Sequence, residues 1–516
     1  MASGKAASKT VQEYIDETPI WSDGTTVPQV PMTIMQWQIW GLATAGKFFE
    51  GLVVFMTGVA LPLISMEFQL GSAEKGLVGA ATLFGILIGA TALGSLADHY
   101  GRKQLFIAEM ILFLVFLVAM TLSPSFPLML VALFGMGLAL GCDYPTAHMV
   151  ISESIPSNCR GRLVLSAFAF QAVGALTGTA VGYMILKSFE SIADWRLMYA
   201  TAIIPTILVV IGRFFITQSP QWLMSRGQVA EAEKETLRLL RREPPYPSRV
   251  HLKEVPDDEP EQERHKSKLG KLFKPKNRRA TFLASVPWFL QDLSTYGIGI
   301  FTPVILAGII GHTNEREQNL AAVIHNDMLA AKGAAFLDIL LLVGIICAIF
   351  LADKVGRMKL QVFGFFGCAV GLLLAAFSTH LSPGAGQTTL IFAGFMIFNF
   401  MTNLGPNAMT YLIAGEVFPT KIRGSGAGFA ASFAKIGAVA TAFLFPILLS
   451  DIGTGPLLYS LVVTCILGAI VTWRYGIETM GINLENIGRL KAHGHDGPGG
   501  PERLEEHPAA GTAAGP

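Results

Sequence analysis

The sequence predicts an all-α membrane protein, with twelve transmembrane helices arranged as two pseudo-symmetric six-helix bundles. Three observations predict it. Of 516 residues, 52% are apolar and only 15% charged, against about 25% charged in soluble domains. Apolar runs recur that are long enough for the roughly 20 helical residues a bilayer requires. Two short charged motifs each occur twice, in the same order, once in each half of the chain.

Residues 1–33 are polar and mixed in charge, with Lys5, Lys9, Glu13, Asp16 and Pro31. They lack the apolar core of a cleavable signal and read as an N-terminal tail. Apolar runs follow at about 34–64, 76–97, 104–122, 126–153, 161–187 and 195–215, making a first bundle over 34–215. Residues 216–278 form a hydrophilic linker. It opens with the helically spaced RGQVAEAEKETLRLLRRE and ends in His265, Lys266, Lys268, Lys271, Lys274 and Lys276. A second bundle over 279–476 contains runs at about 279–310, 334–352, 359–379, 388–415, 424–450 and 457–476. The Gly- and Pro-rich stretch 477–516 reads as a disordered tail.

Basic residues cluster at every second connection: His99, Arg102 and Lys103; Arg160 and Arg162; the linker; Lys354, Arg357 and Lys359; Lys421 and Arg423. Positive charge marks the cytoplasmic side, so both termini and the linker are expected in the cytoplasm of a multi-pass plasma (inner) membrane protein. The loop from Gly311 to Lys332 is then external. A net charge of +1 offers nothing to nucleic acid. Five cysteines without CxxC spacing read as small core residues rather than a disulfide frame or metal site.

The repeat is specific. SLADHYGRK, from Ser95, returns as FLADKVGRMK, from Phe350, and the pattern E-x-x-P-x-x-x-R-G begins at Glu153 and again at Glu416. Parallel duplication of a six-helix unit explains both. The acids accompany the bases in each copy. Asp98, Arg102, Glu153, Arg160 and Arg162 in the first half, and Asp353, Arg357, Glu416 and Arg423 in the second, are therefore expected to form a charged gating network at the cytoplasmic helix ends.

Polar residues inside apolar runs are the other signal. The stretch from Gly135 to Arg162 carries Asp143 and Glu153 on one apolar helix. An ionisable group at membrane depth costs about 2.5–3.5 kcal/mol on insertion scales, so Asp143 should face a bundle interior or wet cavity. Trp288, Asp292 and Tyr296 recur every four residues and share one helix face. Tyr144, Gln171, Asn407 and Lys435 add a hydroxyl, two amides and a cation. Such a set can hold an anion: one cation, several neutral donors, and an acid that donates once protonated.

With these motifs the sequence resembles a major facilitator superfamily transporter across its membrane region. GSLADHYGRK is similar to the superfamily's G-x-x-x-D-x-x-G-R-K loop. TQSPQWL, from Thr217, resembles the PESPRWL mark of the sugar-porter-like branch, with Gln218 and Gln221 replacing an acid and a base. GCDYPTAHMVISE resembles the signature of the phosphate:proton symporters. The resemblance implies two bundles around a central cavity with alternating access, and a proton-coupled symporter of a small anion, inorganic phosphate first. In that family the positions matching Tyr144, Gln171, Trp288, Asp292, Tyr296, Asn407 and Lys435 hold phosphate, and the signature aspartate, here Asp143, takes part in proton passage.

The first run departs from the family pattern. Where aspartates are usual it has Lys47 and Glu50. Glu50 can replace one acid as a proton carrier beside Asp143 and Asp292. An i, i+3 pair with Lys47 would hold it charged, while a cavity-facing Lys47 would suit a bulkier or more highly charged anion. The alternative substrates are therefore an organic anion (an aromatic acid, a nicotinate-like compound or a sugar acid) or a sugar-like metabolite. A binding-only sensor is a further class. The chain has no P-loop, metal spacing or nucleophile elbow; it reads as a monomeric carrier in the lipid bilayer, not an enzyme, with no cofactor or metal and the anion and proton as its partners.

Overall fold

The computed structural model describes residues 9–18, 31–93, 100–242, 247, 250–253, 268–310, 320–419 and 422–480, excepting the side chains of residues 92, 93, 144, 268, 269, 308–310 and 424. The expected roles of Asp98 and of the Tyr144 side chain, residues 311–319 and the tail beyond 480 lie outside the described residues; of the loop expected over 311–332, Leu320 to Lys332 instead form the start of helix Leu320–Val355.

Among the described residues, twelve helices are long and apolar enough to cross a membrane: spans 1 to 6 are Ile34–Phe68, Ser72–Thr91, Arg102–Thr121, Phe126–Ser154, Ser157–Ser188 and Asp194–Phe215. Spans 7 to 12 are Pro275–Ala307, Leu320–Val355, Arg357–Ser378, Ala385–Glu416, Ser425–Ile452 and Thr454–Tyr475. Span 1 begins at a capping box in which Thr33 and Gln36 satisfy each other's backbone N–H groups. Spans 3 and 9 both begin after a glycine in the left-handed region, Gly101 at φ +96° and Gly356 at φ +98°. A side chain there would be strained, so the two G-R motifs are equivalent in backbone as well as in letters. Span 10 breaks at Gly405–Pro406, where proline removes a helical hydrogen bond. The break turns Asn403 and Asn407 toward the interior.

Within the first six spans, 1 packs on 5 and 2 on 4; within the second six, 7 packs on 11 and 9 on both 10 and 12. The halves meet along spans 2 and 11, 5 and 8, and 1 and 7, pairings that a two-fold axis between duplicated units would generate. The ends carrying Arg102, Arg162, Arg357 and Arg423 are called the basic face. On the opposite face the halves touch backbone to backbone: a Cβ on Gly58 would lie 2.1 Å from the Ile300 carbonyl, and one on Gly76 2.2 Å from that of Phe443.

The tail and linker contribute structure beneath the first half. Helix Val11–Asp16 sets Asp16 on span 5, whose Ser157 N–H donates to Oδ1 at 2.7 Å. Helix Val229–Leu239 ends against span 1, where Thr33 Oγ1 donates to the Leu239 carbonyl at 2.6 Å. Val11, Ile15, Leu223, Leu239 and Leu252 are buried there in a second apolar core with Ile151, Ile155 and Val164.

Candidate functional site

At the centre of the bundle, four spans deliver one polar cluster. Tyr296 of span 7 stands in its middle. Its hydroxyl donates to Glu50 Oε1 of span 1 at 2.9 Å, and it receives Lys435 Nζ of span 11 at 2.5 Å and Gln171 Nε2 of span 5 at 3.1 Å. Lys435 Nζ also lies 3.4 Å from Asp292 Oδ2 and 3.5 Å from Glu50 Oε1. Glu50 completes the network by pairing with Lys47 at 2.6 Å, the i, i+3 contact its spacing predicts. Lys47, Glu50, Asp292, Tyr296 and Lys435 are all buried. Two cations meet two acids, so the cluster is balanced in charge, and both halves of the chain supply it.

Asn407 sits on the rim. Gln291 Nε2 donates to its Oδ1 at 3.1 Å, and its own Nδ2 donates to Asn403 Oδ1 at 2.6 Å. Asn403 in turn donates to the Leu341 carbonyl of span 8 at 2.8 Å. A cavity of about 20 Å³ lies among Phe55, Gln171, Thr295, Tyr296, Asn403 and Asn407, room for about one water molecule. One turn from Asn407 along span 10, the Tyr411 ring stacks on Phe168 at 4.6 Å and meets Trp288 edge-on at 6.2 Å. Trp288, Asp292 and Tyr296 thus share one face of span 7 as their spacing predicts, with Trp288 one turn below the cation.

Asp143 is placed elsewhere. Its carboxylate accepts Arg213 Nη2 of span 6 at 2.6 Å, and Arg213 Nη1 also reaches Glu109 of span 3 at 3.0 Å. The same guanidinium donates to the carbonyls of Phe106 and Leu42 and lies over the Phe106 ring. All three charged groups are buried. The signature aspartate therefore belongs to a triad inside the first half rather than to the central cluster. It still touches span 1, since a Cβ on Gly46, beside Lys47, would fall 1.6 Å from Asp143 Oδ2. Sequence reasoning missed Arg213 and Glu109, although both are charges stranded in apolar runs. It also missed Asn403 and Tyr411, which flank the break in span 10, and Gln291 of span 7, which bonds Asn407.

At the basic face the two halves carry matching latches. Arg102 bonds Glu153 at 3.3 Å, and Ser219 donates to the same carboxylate. Arg357 bonds Glu416 at 3.2 Å, and Thr479 donates to it at 2.6 Å. Gln218 Oε1 accepts the Lys103 N–H at 3.0 Å, as Glu478 accepts those of Arg357 and Met358. Gln218, where the family mark has an acid, thus performs the acceptor's task with an amide oxygen. Thr479 and Glu478, the partners in the second half, lie in the stretch that reads as tail. Arg160 and Arg423 turn to the loop backbone, donating to the carbonyls of Ile155 and Phe418. Among the described residues, Arg162 pairs across the halves here with Asp353 at 3.6 Å, with the side chains 73% and 47% exposed. Asp353 also pairs with Arg357 at 3.0 Å.

These exposures predict unequal effects. Arg162→Ala changes stability by less than about 1 kcal/mol, as exposed pairs do. Arg357→Ala removes charge-assisted bonds to two acids and costs about 2–3 kcal/mol. Thermal denaturation of the purified variants ranks the two, and equal shifts would contradict the assignment of Arg357 as the buried anchor.

Comparison with known proteins agrees with this architecture. The chain is 28% identical over 469 residues to the inner membrane metabolite transport protein YgcS of Escherichia coli, covering 90% of this chain and 97% of that one. It is 25% identical over 442 residues to the repressible high-affinity phosphate permease of Neurospora crassa, covering 77% and 75%. In fold it is similar to the inward-open xylose transporter XylE of E. coli, with a TM-score of 0.68 and 19% identity over 88% of this chain and 99% of that one. Residues 40–490 match the family model described as "Sugar (and other) transporter", and a duplicated twelve-span chain with its polar cluster on the axis between the halves belongs to that family of membrane transporters.

Proposed function

We propose that this transporter carries a small anion, inorganic phosphate first, together with protons by alternating access. The observation that carries the reading is the buried meeting of Glu50, Tyr296, Lys435, Asp292 and Gln171. Glu50 occupies the place an anionic oxygen would take, bonded to Lys435 and the Tyr296 hydroxyl. It acts as a tethered substitute for the substrate. When Glu50 takes a proton it loses its hold on both lysines, and Lys435, Tyr296, Gln171 and Asn407 are released to bind the anion, with Trp288 beneath. When the proton leaves, Glu50 and Asp292 reclaim Lys435 and the repulsion of like charges expels the anion. The cavity of about 20 Å³ beside Gln171, Tyr296 and Asn407 has room for about one water molecule, so the anion enters only as side chains of the cluster move aside.

The Asp143–Arg213–Glu109 triad fits a second proton position. One cation faces two acids, so the group is neutral when it holds one proton, and the contact between Asp143 and Gly46 ties its charge state to span 1. The basic face, with both termini and the linker, lies in the cytoplasm of the plasma membrane. The paired latches at that face release as the halves rock apart.

Uptake of labelled phosphate into proteoliposomes under an imposed inward proton gradient tests the reading. Saturable, gradient-stimulated uptake is expected. Uptake indifferent to the gradient would discard the coupling, and the absence of saturable uptake would discard phosphate. Lys47 favours one second reading: protonation of Glu50 frees two cations, which suits an organic dianion or sugar acid equally well. Competition of such acids against phosphate decides between them.

A further inference from the structure

Away from the central cluster, the seam between spans 5 and 8 holds an acid that no part of the cycle above uses. Asp338 of span 8 is 4% exposed. Its Oδ2 lies 2.9 Å from Thr179 Oγ1 of span 5, so the contact joins the two halves. It sits toward the face opposite the basic loops, one turn beyond Leu341, which lines the cavity.

The protons of this contact can be counted. Thr179 Oγ1 has one hydrogen and lies 3.0 Å from the Ala175 carbonyl one helical turn back. Its hydrogen can satisfy that carbonyl or the Asp338 oxygen, but not both. A neutral carboxyl resolves the conflict: its O–H donates to Thr179 Oγ1 while Thr179 keeps its bond to Ala175. A carboxylate would be left with half a share of one hydrogen in an apolar seam, at the desolvation cost that makes buried unpaired charges rare.

Charged groups on the surrounding elements do not relieve it. Span 7 contributes Asp292, and span 1 contributes Lys47 and Glu50, all engaged around Tyr296. Span 5 has Arg162 and Lys187 at its two ends, and span 10 has only Glu416 at its basic end, bonded to Arg357. Span 9 contributes Arg357 and Lys359 at the basic end. On span 8 itself Lys332 is exposed, while Asp327, eleven residues back and so on the same face, is 2% exposed with neither carboxylate oxygen bonded among the described residues. Among the described residues, both buried acids on this face of span 8 thus lack a cation partner.

We propose that Asp338 is a proton-binding site at the seam of the halves, loaded when spans 5 and 8 close on it and emptied to water when they part. The ligand is the proton itself, and the site makes closure of the opposite face conditional on protonation. The inference rests on the proton-coupled, alternating-access reading but not on the identity of the anion.

Its test therefore uses no substrate. Spin labels on cysteines placed at Ser188 and Ala321, exposed ends of spans 5 and 8 on that face, report their separation in the full-length protein, with the native cysteines replaced by alanine. In the otherwise unaltered chain the distance distribution shifts from a long to a short population as pH falls from about 8 to about 5. Asp338→Asn, neutral at every pH and able to donate to Thr179, keeps the short population throughout. Thr179→Val, which removes the acceptor of the acid's proton, moves the midpoint to lower pH. A pH response in Asp338→Asn equal to that of the unsubstituted chain, an unsubstituted chain with no response, or an unmoved midpoint in Thr179→Val overturns the proposal. Failure of phosphate uptake leaves these distances unaffected, so the two readings fail separately.

Discussion

Arg213→Met lowers the stability of the folded transporter by about 3–5 kcal/mol, the cost of leaving buried charges without their partner. The guanidinium is fully buried and satisfies Asp143, Glu109 and two backbone carbonyls drawn from spans 1, 3 and 4. Methionine matches its length but returns none of those donors. Two carboxylates then face each other in an apolar interior with no cation between them. The loss is specific in origin, because the combined variant Arg213→Met, Glu109→Gln, Asp143→Asn removes the stranded charges and regains most of the stability. Thermal denaturation in detergent measures both. A single variant that melts with the parent protein would show that the triad does not hold the first half together.

The second large effect concerns the central cluster. Lys435→Met is expected to reduce saturable phosphate uptake about 30-fold or more, since removing one side of a buried charge pair costs about 2–5 kcal/mol and each 1.4 kcal/mol is about tenfold. The lysine holds Tyr296, Asp292 and Glu50 at once, so no neighbour replaces it. Glu50→Gln gives the opposite sign. On the proposed cycle, the unsubstituted protein is expected to lose anion affinity as pH rises, because Glu50 regains its charge and takes Lys435 back. Glutamine cannot regain charge, so affinity at about pH 8 rises about tenfold, the pH dependence flattens, and net accumulation driven by a proton gradient is lost while exchange of phosphate for phosphate persists. Phosphate binding by calorimetry and uptake with and without the gradient read the two properties apart. A Glu50→Gln protein that binds more weakly than its parent would remove Glu50 as a competitor for the site.

Much of the architecture was legible in the chain. The twelve apolar runs anticipate the spans of the structure because membrane helices satisfy their own backbone and need only length and hydropathy. Runs 5 and 8 extend further than their hydropathy suggests, as Ser157–Ser188 and Leu320–Val355, because helices continue past the bilayer once their ends are bonded, as at Ser157 by Asp16. The four-residue spacing of Trp288, Asp292 and Tyr296 put them on one helix face, and Gln171, Asn407 and Lys435 stood out as polar letters in apolar surroundings; the structure gathers Gln171, Asp292, Tyr296 and Lys435 in the central cluster with Asn407 at its rim. The duplication of the charged motifs likewise singled out Arg102, Glu153, Arg357 and Glu416 without stating which would pair.

Sequence by itself determined the class of molecule, the count and order of its spans, the internal duplication, and which costly polar residues the membrane must hide. Burial of charge is expensive wherever it occurs, so those residues stand out without any knowledge of their neighbours. Only the tertiary structure decided who partners whom. It sends Asp143 to Arg213 and Glu109, gives Glu50 to Lys435 and Tyr296, and sets Asp338 against Thr179. Each of these contacts joins spans far apart in the chain, and periodicity along one helix states which face a residue occupies but not which helix will meet it.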